Sequence, residues 1–444
     1  MADTLPAARR RPDRTGPATT AARVSGAPGG RPGRRGPTSR PDRPDRPDRS
    51  WAVLAAVVAL LCGIGLMMVL SASSVQALRS YGGPWVFFER QLVWVGAGAV
   101  ALAVAARVDY RHWGRVGGPL VVVCGVMLVA VLVPAFGVTA GGSSRWLGYG
   151  QLRFQPSELA KLALLLYTAD LVVSRTERSG RSAVVLRPVL LVTGLLGLLI
   201  LKQPDMGTAM IVVLVVLAVL FVGGVPLPRM AAVGLAVSVG GLVVSMAESY
   251  RRARLFSFVN PWKDPSNTGY QIAQSLVALG TGHLTGVGLG ASRAKWGFLP
   301  NAHTDFIFAI IGEELGLVGT VLVVGLFAGF AFLGVRAALR APDRFGALLA
   351  AGVTVWVVGQ AVINVGAVIG ILPVTGVPLP FVSFGGSSLV ITMAAVGILV
   401  NVGRQGSATP PGRPPRGRAI APQRDPSRGR RPGAGARPAA RDGW

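Results

Sequence analysis

Apolar side chains form long runs between about residue 51 and about residue 404. The first run, Trp51 to Leu70, has about 20 residues, the length that an α-helix needs to cross the hydrocarbon core of a bilayer. The pattern predicts an all-α, polytopic integral membrane protein with about ten transmembrane helices. The other runs are centred near residues 97, 127, 165, 194, 215, 238, 322, 356 and 394.

Two polar tails flank this transmembrane core, which comprises residues 51–404. Residues 1–50 and 405–444 are rich in proline, glycine and arginine and contain few apolar side chains. We therefore expect both to be disordered, basic, cytoplasmic tails. Either tail could rest on the membrane surface or dock a partner protein, and the sequence leaves both alternatives open.

The composition agrees with a membrane protein, because 51% of the residues are hydrophobic and only 14% are charged. A soluble domain carries about 25% charged residues. The formal net charge of +26 lies largely in the tails, which lack the helical or aromatic pattern of a base-reading module, so we expect no nucleic-acid partner. Cys62 and Cys124 lie inside apolar runs and show no metal-binding spacing.

Arginines in the short loops predict the orientation of the helices. The loops at residues 107–115, 175–187 and 336–344 are rich in arginine, and all three fall on the cytoplasmic side if both termini do. The longest loop, residues 251–304 between helices 7 and 8, then faces outwards. This loop is also basic, which indicates either an anionic ligand or a long loop that is translocated regardless of its charge.

Ionisable residues interrupt the spans, and each is a candidate for function because a charge at membrane depth is costly. Glu158 and Lys161 are three residues apart at a helix start, so they share one face and can pair. They form either a neutralised helix start or a pair in which Lys161 points into a polar cavity. Lys202 and Asp205 flank a proline, either as an ion pair in a tight outer turn or as broken backbone facing water.

More polar residues lie where the long outer loop returns to the membrane. Asp305 is partly desolvated there and would be a stronger base, although an N-cap of the next helix is an alternative interpretation. His303 lies beside it, and Glu313 and Glu314 follow inside the apolar run, where they need positively charged partners. Between Pro373 and Ser388, prolines exclude a regular helix, and the Gly-Gly-Ser-Ser end could seat an anion.

Together these motifs resemble, in order, those of the SEDS family of shape, elongation, division and sporulation proteins. The resemblance covers the membrane core and neither tail, and the stretch NAHTDFIFAIIGEELG is most similar to division-type members. The matching segments are Ser144 to Trp146, Phe154 to Lys161, Gln203 to Asp205, Asn260 to Trp262, Gly269 to Gln271, Gln274 to Leu276, His303 to Phe306, Gly312 to Gly316, Pro378 to Phe381 and Gly385 to Ser388.

The resemblance implies a peptidoglycan glycosyltransferase that joins lipid II into glycan strands on the outer face of the cytoplasmic membrane during septal wall synthesis. The reaction is an inverting displacement, and the motif match makes Asp305 the catalytic base. A divalent cation, Mg²⁺ or Mn²⁺, is compatible with it, although the sequence shows no evident cage, and no other cofactor is implied. The candidate substrate-binding residues are Arg145, Trp146, Lys161, Arg251, Arg254, His303, Ser387 and Ser388, and the structural polar residues are Glu158, Asp205, Glu313 and Glu314.

The implied partners are lipid II, a class B penicillin-binding protein with transpeptidase activity, and other proteins of the division machinery. One alternative is a transporter that moves lipid II across the membrane, since broken helices and intramembrane charges are also typical of transporters. Another is a scaffold that only recruits the transpeptidase, and a third is a polymerase of the elongation type. The polar motifs concentrate on the predicted outer side without a matching inner set, which favours the enzyme.

Overall fold

The structure is a computed structural model that describes residues 49–140, 143–149, 152–179, 183–247, 252, 258, 260–267 and 269–408. The predictions for residues 1–48 and for those beyond residue 408 therefore lie outside the described residues. Residues 405–408, which were predicted to belong to the disordered C-terminal tail, instead continue the last helix. Helices dominate the described chain, and they are separated by short turns except at three places. These are a small sheet after the third helix, the long loop before Ile307, and the proline-rich segment of residues 369–385 before the last helix.

The helices are α1 (Ser50–Tyr81), α2 (Val86–Arg107), α3 (Arg111–Leu132), α4 (Pro156–Ser179), α5 (Ala183–Lys202), α6 (Met206–Val222), α7 (Leu227–Ala247), α8 (Tyr270–Thr281), α9 (Ile307–Leu339), α10 (Arg344–Val368) and α11 (Gly386–Ala408). The strands are β1 (Gly137–Ala140), β2 (Ser143–Tyr149) and β3 (Leu152–Phe154). The long loop contains α8 and two single-turn 3-10 helices, Pro261–Lys263 and Ala294–Trp296.

Seven of the described helices are long and apolar enough to cross a membrane, namely α1, α2, α3, α5, α9, α10 and α11. Shorter apolar helices are Met206–Val222 and Leu227–Val243. Helix α4 is long but contains Glu158, Lys161 and Asp170. Every predicted apolar run coincides with one of these helices, which confirms the all-α polytopic fold, whereas length and composition alone do not establish ten crossings.

A three-stranded antiparallel sheet, which was not predicted from the sequence, lies between α3 and α4. Strand β2 lies in the centre, with Trp146 opposite Val138 of β1 and Leu147 opposite Phe154 of β3. The strands are only three to seven residues long. The outer strands are too short to show a period, and the central strand, SSRWLGY, has no regular alternation of apolar and polar residues, which explains why the sheet was not predicted.

Close approach of helix backbones at glycines packs the bundle. A Cβ added at Gly117 of α3 would lie 2.8 Å from the backbone nitrogen of Tyr167 in α4. A Cβ added at Gly397 of α11 would lie 2.4 Å from the backbone oxygen of Leu102 in α2. Small residues of this kind let membrane helices pack without an intervening side chain.

A polar cluster joins helix ends at the face predicted to be cytoplasmic. Asp343 caps α10 by accepting the backbone N–H of Gly346 at 2.8 Å, and its other oxygen accepts the Tyr110 hydroxyl at 2.8 Å. Arg111 Nε donates to the same oxygen at 2.9 Å. Burial, followed by the bond to Asp343, raises the pKa of the Tyr110 hydroxyl, so this group remains a donor. The cluster fixes α3 against α10 at the end opposite to the candidate site.

Helix α9 is broken at Gly316, whose backbone has φ 66° and ψ −159°. The N–H groups of Val287 and Gly288 donate to the carbonyls of Glu313 and Glu314 at 2.9 and 3.1 Å. Backbone groups that lose their helical partner at membrane depth need another one inside the protein. The end of the outer loop supplies it, so the loop and the start of α9 form one unit.

Gly117→Ala should destabilise the protein by about 1–3 kcal/mol, because the added methyl group forces the α3 and α4 backbones apart. The measurement is the thermal midpoint of unfolding in detergent. Gly118→Ala is the matched control, since a Cβ at Gly118 meets no atom within 4 Å and both substitutions bring the same gain in helix propensity. Equal midpoints for the two variants would contradict the close packing of α3 on α4.

Candidate active site

The breaks between the helices meet at one end of the bundle, which we call the polar end. The backbone N–H of Gln155, before α4, donates to Ser387 Oγ at the start of α11 at 3.2 Å. The Gln155 side chain donates to Asp205, between α5 and α6, at 2.9 Å. Ser383 donates its hydroxyl to the carbonyl of Thr304 at 2.6 Å. The segments selected from the sequence therefore form one connected polar region.

Asp305 lies in the turn before α9 and is half-buried. The N–H groups of Thr304 and Phe306 close this turn by donating to the carbonyl of Asn301 at 3.1 and 3.3 Å. The N-cap position of α9 is Phe306, so Asp305 does not occupy the position that the alternative interpretation gave it.

The segment before α11 approaches the Asp305 carboxylate at a glycine. A Cβ added at Gly376 would lie 3.7 Å from Asp305 Oδ2. Gly376 has φ 73°, a left-handed conformation that glycine adopts without strain. The carboxylate is thus bordered by main chain on one side.

His303 is enclosed by aromatic rings. Its ring centroid lies 5.0 Å from that of Phe87 in α2 and 5.8 Å from that of Phe384. The side chain is 8% exposed, and burial lowers its pKa to about 4, so it is neutral at physiological pH. This environment makes His303 a packing residue beside Asp305 rather than a second charge, and its predicted contact with substrate stays a prediction.

Arg145 in β2 clamps the turn between α5 and α6. Its Nε donates to the carbonyl of Gln203 at 3.1 Å, and its Nη2 contacts the carbonyl of Pro204. The Gln203 side chain donates in turn to the carbonyl of Leu128 at 3.0 Å. Two of the guanidinium nitrogens are thus occupied by main-chain acceptors. Trp146, the next residue, is half-buried in the sheet.

Asp205 is a capping residue within this turn. Its Oδ1 accepts the backbone N–H of Thr208 in α6 at 3.2 Å, and its Oδ2 accepts the Ser157 hydroxyl at 3.2 Å. Lys202, which the sequence suggested as its partner, is exposed and makes no ion pair with Asp205 in the described chain. Of the two alternatives for this turn, the Lys202–Asp205 ion pair was wrong, because Gln155, Ser157 and Thr208 donate to the carboxylate instead.

Glu158 and Lys161 form a buried ion pair in the first turns of α4. Lys161 Nζ lies 2.8 Å from Glu158 Oε2, and the two side chains are 1% and 3% exposed. The ammonium group also donates to Gln360 Oε1 at 3.0 Å and lies 4.9 Å from the ring centroid of Trp356. Of the two sequence-based alternatives, this arrangement favours the neutralised pair over a lysine that is open to substrate.

Glu313 and Glu314 anchor the outer loop to α9. Glu314 is completely buried, accepts the Ser71 hydroxyl of α1 at 2.6 Å, and lies 3.4 Å from Lys295 Nζ. Glu313 accepts the backbone N–H of Arg293 at 2.9 Å. The outer loop therefore supplies both the cation and the main-chain donors that these buried carboxylates need.

Residues 52–408 match the FtsW/RodA/SpoVE family, described as cell cycle protein. The chain belongs to this family. It is 41% identical over 359 residues to a probable peptidoglycan glycosyltransferase FtsW from Geobacter metallireducens, and the match covers 81% of this chain and 95% of that relative. The predicted resemblance to SEDS proteins, and to their division-type member FtsW, is thereby confirmed.

Two solved structures show the same fold. One is described as a peptidoglycan synthase complex that coordinates polymerization and crosslinking, with a TM-score of 0.63, 29% identity, and coverage of 80% of this chain and 98% of that chain. The other is the rod shape determining protein RodA of Thermus thermophilus, with a TM-score of 0.57, 28% identity, and coverage of 80% and 96%. The membrane core of this FtsW/RodA/SpoVE member is therefore the part that they share.

The other residues of this family member that were predicted to bind substrate are two serines and two arginines. Ser387 accepts a main-chain bond from Gln155, and Ser388 lines a narrow gap beside the Pro378–Phe381 turn. Arg251 and Arg254 lie outside the described residues. Within the described residues, no three His, Cys, Asp or Glu side chains are grouped to hold a metal ion. A divalent cation at the polar end would therefore need substrate phosphate oxygens to complete its coordination, as is common for Mg²⁺.

Two functional candidates in this family member were missed by the sequence analysis. Gln360 and Asn364 lie in α10, and both side chains are buried, with 1% and 2% exposure. They contact the Glu158–Lys161 pair and the Asp305 turn respectively. The available signal was two amides spaced i, i+4 in an apolar span, which places them on one helix face where polar groups are costly.

Lys161→Met should lower the free energy of unfolding by about 3–5 kcal/mol, because it leaves Glu158 buried without its cation. The double variant Glu158→Gln/Lys161→Met should recover part of this loss, since no buried charge remains. Thermal midpoints in detergent measure both effects. A double variant as unstable as Lys161→Met would contradict the buried-pair interpretation, and a stable double variant with weakened lipid II use would revive Lys161 as a substrate ligand.

Proposed function

We propose that the protein is a peptidoglycan glycosyltransferase of the FtsW type. It joins lipid II into glycan strands on the outer face of the cytoplasmic membrane during septal wall synthesis. The observation that carries this proposal is the position of Asp305, a half-buried carboxylate in the polar end of a chain that is 41% identical to a probable FtsW glycosyltransferase.

The chemistry requires a base and a stabilised leaving group. Asp305 takes the proton from the 4-hydroxyl group of the acceptor sugar. The oxygen of that hydroxyl group attacks the anomeric carbon of the donor sugar. The bond from that carbon to the lipid pyrophosphate breaks, the configuration inverts, and the pyrophosphate leaves with the bonding electrons. A positioned base contributes about 10²–10⁴-fold to such a step.

The leaving pyrophosphate needs positive charge or hydrogen-bond donors. Basic side chains at the polar end and in the outer loop supply the charge, and Mg²⁺ or Mn²⁺ would supply more. When bound, such a cation would stabilise negative charge on the leaving group. Arg251 and Arg254 remain candidates from the sequence for the same task.

The partners that we propose are a class B penicillin-binding protein and other proteins of the division machinery. The support is the fold shared with a peptidoglycan synthase complex, in which polymerization and crosslinking are coordinated. The greater identity to the FtsW relative than to the RodA structure, 41% against 28%, favours a role at the septum over one in elongation.

Asp305→Asn should abolish polymerisation, with a loss of at least about 10²-fold, because the amide cannot accept the hydroxyl proton. The assay uses the purified protein with its transpeptidase partner, lipid II, and separation of the glycan strands. Glu89→Gln is the matched control, since Glu89 is an exposed carboxylate in the first turn of α2 at the same end.

Three results would change this assignment. Full polymerisation by Asp305→Asn would exclude Asp305 as the base. Lipid II movement across vesicles without any polymerisation by the wild type would favour the transporter. Neither activity in a correctly assembled complex would leave the scaffold as the remaining function.

A further inference from the structure

Helix α10 presents two buried amides to the segments that surround Asp305. Gln360 and Asn364 are four residues apart, so they lie one above the other on the same face of the helix. Both are almost fully buried in an apolar span, where an unpaired amide would be strongly destabilising. Their hydrogen bonds therefore show which neighbouring segments are fixed to α10.

Gln360 links the buried ion pair to the proline-rich segment. Its Oε1 accepts hydrogen bonds from Lys161 Nζ at 3.0 Å and from Trp356 Nε1 at 3.1 Å. Two donors on the oxygen leave the amide only one orientation. Its Nε2 then points to the carbonyl of Pro378 and donates to it at 2.9 Å.

Asn364 links the same segment to the turn that contains Asp305. Its Nδ2 donates to the carbonyl of Asp305 at 2.7 Å and to the carbonyl of Val377 at 2.8 Å. Both amide hydrogens are thereby used, and each bond goes to a different segment. One side chain thus sets the spacing between Asp305 and the residues that follow Gly376, whose main chain borders the carboxylate.

We propose that Gln360 and Asn364 are positioning residues for the catalytic base, an inference that rests on the proposed function. The segment from Pro373 to Pro380 cannot form a regular helix, so its carbonyls need partners from elsewhere. The amides of α10 provide these partners and place the Asp305 backbone at the same time. Glu158 and Lys161 act one step further away, because they fix the orientation of Gln360.

The test compares Asn364→Ala with Asn401→Ala. Asn401 is also a buried asparagine, 1% exposed, and its Nδ2 donates to the carbonyl of Ala106 at 2.7 Å at the opposite end of the bundle. Each variant loses a buried amide, so we expect similar decreases in thermal midpoint. Only Asn364→Ala should reduce kcat for polymerisation, by about 10-fold or more, with little change in KM for lipid II.

A second variant, Asn364→Asp, keeps the size of the side chain but removes both N–H donors, and it should show the same loss of kcat if Asn364→Ala does not fold. Normal kcat in both Asn364 variants, with Asp305→Asn inactive, would overturn the positioning role and leave the proposed function intact. Equal losses per folded molecule for Asn364→Ala and Asn401→Ala would overturn it as well, because that result describes a general structural effect. An inactive wild type would instead remove the proposed function itself.

A cleft lies at the polar end, between the last turns of α1 and residues 295–302. Its volume is about 290 Å³, and its polar lining comes mainly from Gln76, Arg79, Ser80, Lys295 and Asn301. Asn301 belongs to the turn of Asp305, since the N–H of Phe306 donates to the Asn301 carbonyl. The cleft therefore adjoins the catalytic turn directly.

The two cations of this cleft differ in how their charge is balanced. Lys295 is buried, lies 3.4 Å from Glu314, and also contacts the carbonyl of Gly290. Arg79 is exposed, and its one hydrogen bond among the described residues goes to the carbonyl of Trp296 at 3.4 Å. No carboxylate of the described chain forms an ion pair with Arg79. The cleft thus has a net positive charge at its mouth.

We infer that this cleft binds a phosphate or pyrophosphate group of the lipid-linked substrate, with Arg79 as the principal contact. A guanidinium group matches phosphate oxygens in a bidentate geometry, and such charge-assisted bonds are about twice as strong as neutral ones. The main alternatives at the polar end are already engaged, because Arg145 binds two carbonyls and Lys161 binds Glu158. This inference also rests on the proposed function.

Arg79→Gln should raise KM for lipid II by about 10-fold or more with little effect on kcat, and Arg79→Lys should recover part of the affinity. Lys202→Gln is the matched control, because Lys202 is an exposed cation in the last turn of α5 at the same end. Inorganic pyrophosphate should compete with lipid II more weakly in Arg79→Gln than in the wild type.

Repeating the assay in vesicles with increasing phosphatidylglycerol distinguishes substrate from bulk lipid. A KM that rises in Arg79→Gln at every lipid composition supports the substrate site. If the KM depends on Arg79 only when phosphatidylglycerol is abundant, the cleft binds a lipid headgroup and not the substrate. That result would overturn the inference. An unchanged KM in Arg79→Gln, with Asp305→Asn inactive, would overturn it without affecting the proposed function.

Discussion

Polar groups that lie between membrane helices must find their partners inside the protein, and the structure around Asp305 follows from this constraint. Glu313 and Glu314 accept hydrogen bonds from the outer loop and from α1. Gln360 donates to a carbonyl of the proline-rich segment, and Asn364 donates to the carbonyl of Asp305. Because the partners come from different helices and loops, their hydrogen bonds also determine where the Asp305 carboxylate lies.

The sequence predicted the helices well and their contacts poorly. Runs of about 20 apolar residues mark spans because length and hydropathy are local properties. Pairing depends on which groups the fold brings together, and this explains why Asp205 contacts Gln155 and Ser157 rather than Lys202. The sheet that contains Arg145 was missed for a related reason, since the apolar and polar residues of its central strand, SSRWLGY, do not alternate.

The structure also changes which cations are available for substrate. Arg145 and Lys161 are candidates in the sequence because charges are rare near spans. In the structure, however, Arg145 binds main-chain carbonyls and Lys161 pairs with Glu158. Arg79 was not predicted to bind substrate, because an arginine in the last turn of a helix is common. Only the cleft beside it and the balance of charge within that cleft distinguish it, and both are properties of the folded chain.

The break at Gly316 divides α9 into two helical rods that are joined at a non-helical residue. The longer rod is largely lipid-facing, with Val318 65% exposed and Val321 60% exposed, whereas the shorter one ends at the turn that holds Asp305. Between Asp305 and the joint lie about 15 Å of chain at helical rise. At this joint, bonds to the outer loop replace those of a continuous helix, because Val287 and Gly288 donate to the carbonyls of Glu313 and Glu314. The outer loop therefore helps to hold the short rod, and the Asp305 turn at its end, in place.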